Sequence, residues 1–384
     1  MKITNFKAGN IESIYSYDYE YFVPEKINHS FEIDNSKVNV KFETAARLIG
    51  ELNAMARLVP NIDIFILSFI GNEATLSSKI EGTKTEIDDI FKTKEDIKLE
   101  DKDDLEEVML YIQAVNSAIE GLDKTPISTR LIKQAHKTLL SSGRGKNKMP
   151  GEFRTTQNWL GPSLKNAEFI PAHQSLVNEL MSDLEKFLHN QDILVPDLIK
   201  VAVAHYQFET IHPFCDGNGR IGRMLIPLYL VDKQLLSKPL LYMSVFFEKN
   251  KTLYCQKLMR VRHFNDLSGW LLFFLTGVEQ TAKHSIKVLT NILNLKEKLT
   301  SKISSKTNRV TNNLKLLEKL FQEPFIRVKD VEIGLEVSSS VAKNIVDDLV
   351  RVEVLKELTG NKRNRIFVFS SYLELLKTPF PEYE

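Results

Sequence analysis

Cysteine is scarce: Cys215 and Cys255 are the two that the 384 residues contain. They cannot build a disulfide framework, and they suit a reducing cytosol. Neither sign of charge is in excess, with a formal net charge of +1 at pH 7. No global field therefore draws the chain to nucleic acid or repels it. Long apolar runs are missing as well. The most apolar window, Leu267 to Val278, is too short to cross a bilayer. The opening residues MKITNFKAGN have no apolar core of the secretory kind. No membrane partner is expected, and the expected location is the cytoplasm. No internal repeat is visible. What is present is an ordinary globular mixture, 43% apolar and 26% charged, in a chain long enough for two or three domains.

One stretch departs from that ordinary mixture. HPFCDGNGRIGR, His212 to Arg223, puts a histidine, an aspartate, an asparagine, two arginines and three glycines into a dozen positions. Val201 to Glu209 before it carries apolar residues at helical spacing, and Met224 to Leu230 after it is strongly apolar. A polar, glycine-rich loop between two buried helices can be a plain turn, since Asp-Gly and Asn-Gly are turn dipeptides. Its chemistry points further. Gly217, Gly219 and Gly222 let backbone amides approach a ligand. The next helix aims its unsatisfied N–H groups and positive dipole end at the loop, which makes a phosphate-sized anion site. Arg220 and Arg223, three residues apart, can both present forked donors to such an anion. Asp216 can hold Mg²⁺, which prefers one or two carboxylates plus phosphate oxygens. His212 has a proton affinity suited to base chemistry near neutrality. Cys215 reads as a small filler.

The stretch resembles the Fic signature HPFxDGNGRxGR at every defined position. The resemblance implies a mostly α fold: a helical Fic domain with a small β-hairpin flap. It also implies transfer of a nucleotide monophosphate, usually AMP from ATP, to a protein hydroxyl. His212 would be catalytic. Asp216, Gly217, Asn218, Gly219, Arg220, Gly222 and Arg223 would bind the nucleotide, with Mg²⁺ on Asp216. Upstream, Ser77, Glu81 and Gly82 fit the inhibitory pattern (S/T)xxxE(G/N) of many Fic proteins. A helical i, i+4 pair puts Ser77 and Glu81 on one face, and Gly82 can end the helix. By resemblance Glu81 pairs with Arg223 in the space of the ATP γ-phosphate. PGEFR (150 to 154) and QNW (157 to 159) resemble the approach to the Fic flap. Phe169, Ile170 and Pro171 would form its edge, an exposed strand that takes an extended target segment by main-chain hydrogen bonds. Tyr254 would stack on adenine, with Asn250 as a weaker candidate. Cys255 stands where the family more commonly has a second tyrosine.

The rest of the chain reads as follows. Residues 1 to about 40 look like an extended arm with Tyr15, Tyr17, Tyr19, Tyr21 and Phe22 but no helical period. Helices are expected over Phe42 to Val59, from a cap at Asp63 to Ile80, over Leu105 to Leu122, from Ser128 to Leu140, His173 to His189 and Asp197 to Glu209. A short helix around Ile87 to Phe91 and an exposed loop should lie within Lys84 to Asp104. Residues 141 to 172 are long and irregular, which inside a compact domain suggests function. His205 reads as a satisfied core or supporting histidine, and Glu209 as a possible brace for loop amides. Leu267 to Leu299 reads as one or two helices.

From Val310 the pattern changes to helix, short segment, helix and two strand-like runs (Val354 to Leu358, Ile366 to Phe369), the order of a winged helix-turn-helix-like module. Its charge balances at 12 Lys/Arg against 12 Asp/Glu over residues 307 to 384. Only the wing, with Lys362, Arg363 and Arg365, is basic. DNA contact is therefore less favoured than protein docking or dimerisation. The expected division is an N-terminal arm and inhibitory region (1–110), a catalytic domain (111–306) and the C-terminal module (307–384).

The leading reading is a protein adenylyltransferase that moves AMP from ATP to a Tyr, Thr or Ser hydroxyl of a target or of itself, restrained by Glu81. Removal of AMP at the same site, or DNA-binding regulation with a nucleotide-sensing domain, are its alternatives. UTP, GTP and phosphocholine donors occur among related folds, and the resemblance also implies a homodimer.

Overall fold

The computed structural model describes residues 2–13, 18–59, 62–90, 102–360 and 365–383. Tyr15, Tyr17, Phe91, Lys362 and Arg363, singled out above, lie outside the described residues. In chain order the strands are β1 (Gly9–Ser13), β2 (Glu20–Pro24), β3 (Phe325–Arg327), β4 (Lys356–Glu357) and β5 (Ile366–Val368). The helices are α1 (Ser36–Leu58), α2 (Asp63–Ile80), α3 (Ile87–Ile90), α4 (Lys102–Leu122), α5 (Thr129–Leu139), α6 (Val177–His189), α7 (Asp197–Ile211) and α8 (Asn218–Asp232). They continue with α9 (Ser244–Lys249), α10 (Lys251–Phe264), α11 (Leu267–Lys306), α12 (Val310–Leu320), α13 (Val328–Leu335), α14 (Ser339–Arg351) and α15 (Ser370–Leu376). The architecture is mostly helical, as the sequence pattern predicts.

The centre is the antiparallel pair α7 and α8. Every residue from Leu198 to Ile211 is buried, and so are most of α8 from Asn218 to Leu230. Helices apolar all round belong inside a core. The loop 212–217 joins them, so its backbone is anchored at both ends by packed helices. Around this pair lie α6, α5, α4, α2 and α11. Helix α1 starts where the Asn35 side chain accepts from the N–H groups of Lys37 and Val38 at 3.0 and 3.4 Å. Its buried Val38, Ala45, Leu48, Ile49, Leu52 and Ala56 face the long α11.

Several expectations change. The arm is not simply extended: β1 and β2 form an antiparallel hairpin with Ile11 opposite Phe22. Helix α2 begins at Asp63 without a side-chain cap from that residue, because Asp63 lies inside the first turn. The span 267–306 is one helix. The flap is reduced to a single antiparallel bridge, Leu160 with Phe169. The expected boundary between residues 110 and 111 cuts α4, whose buried Leu110, Tyr111, Ala114 and Val115 form one continuous face.

In the C-terminal segment β5 lies between β3 and β4, pairing antiparallel with both. The short segment expected after the first helix of this module becomes β3 and the start of α13, which the pattern did not separate. Phe321 packs edge-on to Phe65 of α2 at 5.3 Å, and the Tyr372 hydroxyl donates to Ser68 Oγ at 2.8 Å. Among the described residues no helix is long and apolar enough to cross a membrane.

Candidate active site

Helix α7 stops at His212, which takes the left-handed conformation (φ 50°, ψ 61°) with its N–H on the Phe208 carbonyl at 2.9 Å. Pro213 follows and has no N–H to continue the ladder. A left-handed non-glycine residue costs about 1–3 kcal/mol and persists only where its surroundings hold it. Here the His212 carbonyl accepts from Arg154 Nε at 2.9 Å and Asn158 Nδ2 at 3.2 Å. Both donors lie in the segments PGEFR and QNW. His212 Nδ1 is buried with no hydrogen-bond partner among the described residues. Burial, then the charges of Arg262 and Arg154, push the imidazole down to about 4. The ring is therefore neutral at pH 7 and able to accept a proton.

Two residues fix the loop that follows. Asn218 clamps Phe214, accepting from its N–H and donating to its carbonyl, both at 2.8 Å. The Asn218 side chain thus holds the loop, and only its backbone N–H is left to face a ligand. His136 of α5, which the sequence pattern did not mark, accepts from Gly151 N–H at Nδ1 (2.8 Å) and meets the Asp216 carbonyl at Nε2 (3.0 Å). Since Nδ1 accepts, Nε2 carries the proton and donates. Its ring lies flat on Phe214 at 3.7 Å. Burial lowers its proton affinity to about 4, which keeps this tautomer neutral.

Helix α8 opens at Gly217, whose φ of 75° favours glycine. Asp216 Oδ1 accepts from Gly217 N–H at 2.5 Å and lies 3.5 Å from Arg220 Nη2. Arg220 is buried, and its Nη1 donates to Glu107 Oε2 of α4 at 3.3 Å. Glu107 was not foreseen, because α4 is remote in sequence. At Gly219 a methyl group would run into the Glu81 carboxylate and sit 2.8 Å from Arg223 Nη1. That position is glycine because a carboxylate and a guanidinium meet over it.

Arg223 is caged by the end of α2. Its Nε donates to Ser77 Oγ at 2.9 Å, and its Nη2 to the Ser77 carbonyl at 2.9 Å and to Glu81 Oε1 at 2.6 Å. Its side chain is 2% exposed and that of Glu81 41% exposed. Burial acts to raise the Glu81 carboxyl, but the Arg223 charge and hydrogen bond hold it below the usual carboxylate range. Gly82, at φ 107°, ends the helix as expected. Lys251 Nζ donates to the Ile80 carbonyl at 2.5 Å and closes the same helix end.

Tyr254 does not offer a free stacking face. It is 4% exposed, stacked on Phe247 at 4.4 Å, with its hydroxyl 2.8 Å from His205 Nε2. His205 Nδ1 in turn meets the Gly222 carbonyl at 2.8 Å. Because that carbonyl only accepts, Nδ1–H donates and Tyr254 donates to Nε2. Tyr254 therefore supports α8 through His205, and an adenine could stack on it only by displacing Phe247. Asn250 turns its amide onto the Phe246 carbonyl at 2.9 Å. Glu209 is buried against Gly222, its Oε1 unpartnered among the described residues. Burial, against the nearby Arg223 charge, lifts its carboxyl to about 7.

The flap edge is not open. Phe169 is buried beneath Arg262, whose guanidinium lies 3.8 Å from its ring. The Ile170 carbonyl accepts from Phe22 N–H of β2 at 2.9 Å, and the Pro171 carbonyl from Gln157 Nε2 at 2.9 Å.

Among the described residues no group of three or more His, Cys, Asp or Glu could hold a metal. Asp216 is a single carboxylate, 42% exposed, at the mouth of the glycine cradle. One such ligand fits Mg²⁺ in the mode that takes its remaining oxygens from phosphate and water.

Fold and site together define a helical protein that carries a glycine-rich loop with two buried arginines at a buried helix N-terminus, beside a neutral histidine. Residues 40–120 match the family model for the Fic/DOC family N-terminal region, and residues 126–230 that for the Fic/DOC family. The chain therefore carries a Fic domain preceded by the Fic/DOC N-terminal region. It is 31% identical over 121 residues to protein adenylyltransferase fic-1 of Caenorhabditis elegans, covering 31% of this chain and 22% of that protein. To a probable protein adenylyltransferase of Aquifex aeolicus it is 32% identical over 141 residues, covering 33% of this chain and 43% of the other. The chain thus spans less than half the length of these curated relatives. A Fic family protein from Desulfovibrio desulfuricans shares the fold, with a TM-score of 0.57 at 18% identity over 89% of this chain and 98% of that one.

Proposed function

We propose that this protein is an adenylyltransferase that moves AMP from ATP to a hydroxyl of a protein, and that Glu81 restrains it. The observation that carries the reading is the convergence on one helix N-terminus of Gly217, Gly219, Arg220 and Arg223, with the neutral His212 ring beside it. Backbone N–H groups and a dipole end suit phosphate oxygens. The names of the two relatives, a protein adenylyltransferase and a probable one, support AMP transfer as the reaction.

In this reading the triphosphate lies along the loop from Asp216 to Arg223. Asp216 would hold Mg²⁺ with phosphate oxygens, and the ion would supply charge neutralisation there. The acceptor hydroxyl gives its proton to the His212 ring, and its oxygen bonds to the α-phosphorus. The bond from that phosphorus to the bridging oxygen breaks, and pyrophosphate leaves. The negative charge of bound ATP raises the His212 proton affinity toward neutrality, which improves it as a base. Alignment and charge neutralisation account for most of the rate gain.

Glu81 occupies the guanidinium that a γ-phosphate would use. Water reaches one side of this pair, so releasing Glu81 costs less than breaking a fully buried one. Mass spectrometry of the Glu81→Gly protein after incubation with ATP and Mg²⁺ tests donor and reaction together. We expect a gain of one AMP or more on the chain, absent when His212→Ala is added. An unmodified Glu81→Gly protein that still hydrolyses no ATP counts against the reading.

A further inference from the structure

The flap edge already has an occupant, and it comes from the same chain. Phe169 turns its N–H and carbonyl toward Leu160: Leu160 N donates to the Phe169 carbonyl at 2.8 Å and Phe169 N to the Leu160 carbonyl at 3.4 Å. In an extended strand the next residue turns its polar groups the other way. The Ile170 carbonyl accordingly faces outward from the bridge, and it accepts from Phe22 N–H of β2 at 2.9 Å. Phe22 stands opposite Ile11 in the hairpin, so this N–H is spent on the flap while its neighbours Tyr21 and Val23 pair with Glu12 and Asn10. The side chains agree with the backbone. The Phe22 ring packs 5.9 Å from Phe169, and Tyr21, on the opposite face, lies 5.8 Å from His173 just beyond the flap. Tyr21 and Phe22 are both buried.

We infer that β2 is a resident stand-in for the target: the protein segment that receives AMP docks by taking the place of Phe22 on the Ile170 edge, and the hairpin must lift for it to do so. This rests on the transferase reading above and adds the kind of partner it takes. That partner is an extended segment with a free backbone N–H, hence not proline, at the Ile170 position. Its residue there is large and aromatic and covers Phe169. Main-chain pairing of this kind leaves the rest of the target sequence open. One strand hydrogen bond and two ring contacts tie β2 to the flap, and Gln207 Nε2 donates to the Glu25 carbonyl at 2.9 Å just beyond it. Being tethered, β2 competes at a high effective concentration. A free segment therefore binds poorly until the hairpin is loosened.

The test uses the full chain and a fluorescein-labelled peptide of residues 18 to 25, DYEYFVPE, read by fluorescence anisotropy. In the Phe22→Ala protein the tethered strand loses its ring on Phe169. We expect the peptide to bind that protein about tenfold or more tighter than the unsubstituted chain. The same peptide N-methylated at the Phe22 nitrogen should bind about tenfold weaker, because it cannot donate to Ile170. Equal binding of the two peptides, or equal binding to the two proteins, overturns the inference. Should Phe22→Ala fail to fold, hydrogen exchange at the Phe22 amide of the unsubstituted chain replaces it. Protection that falls as peptide is added supports the exchange, and protection unchanged at saturating peptide refutes it. Glu81→Gly separates the two claims. Peptide binding to it while it gains no AMP sinks the transferase reading alone, and AMP transfer by it without edge exchange sinks this one.

Discussion

Glu209, buried against Gly222, carries a pH signature of its own. Its carboxyl is lifted from 4.5 to about 7 by burial. The folded chain therefore holds more protons than the unfolded chain between those values, and stability falls as pH rises through that window. The contribution is whole below about pH 4.5 and gone above about pH 7. Glu209→Gln should flatten this fall by up to about 3 kcal/mol, measured as urea stability against pH. An unchanged slope would show that the carboxyl titrates normally. His212 shifts the opposite way. With its ring neutral down to about pH 4, kcat/KM should hold its plateau through about pH 6 rather than halve near the ordinary histidine value. An acid limb centred near 6.5 would count against the buried, arginine-flanked ring.

At the scale of elements, the anion cradle depends on helices that do not contain it. Helix α5 reaches the loop through His136, which ties Gly151 to Asp216. His136→Ala leaves a buried N–H without its acceptor and should cost about 2–4 kcal/mol, seen as a lowered denaturation midpoint. A loss under about 0.5 kcal/mol would mean that the loop holds itself. Helix α2 reaches the cradle through Ser77 and Glu81, and Lys251 of α10 holds its last turn. Helix α14 sits where a winged helix-turn-helix module would place its DNA reader. Arg351 of α14 and Arg309 before α12 both turn onto Asp348, at 2.7 and 3.0 Å, which leaves Lys343 as the basic residue of α14 outside that cluster. We expect no sequence-specific shift of duplex DNA in a gel assay, and a specific shift would restore the DNA-binding reading.

At the scale of the whole molecule one continuous core runs from Ile3 to Phe380, so the C-terminal segment is not an independent bead. Phe321, Phe369 and Tyr372 pack together and against Phe65 and Ser68 of α2, the helix that ends in Glu81. Calorimetry should therefore show a single transition, and Phe321→Ala should lower its stability by about 3–5 kcal/mol. Two resolved transitions would contradict the shared core. The helices and the motif loop were legible in the sequence, because helical period and glycine spacing are local properties. The i, i+4 spacing put Ser77 and Glu81 on one face, the resemblance implied the pairing of Glu81 with Arg223, and the contact of Ser77 with Arg223 was not foreseen. His136 and Glu107 were not legible: each meets the loop across the fold, and no spacing rule links residues about a hundred positions apart. The burial of Tyr254 was not legible for the same reason, since it depends on Phe247 and His205 arriving from other helices. The chain by itself determined which glycine-rich backbone stands at the start of α8, where we propose that an anion binds. Tertiary packing alone decided which side chains guard that backbone and that β2, rather than solvent, covers the flap, because only long-range contacts can set who neighbours whom.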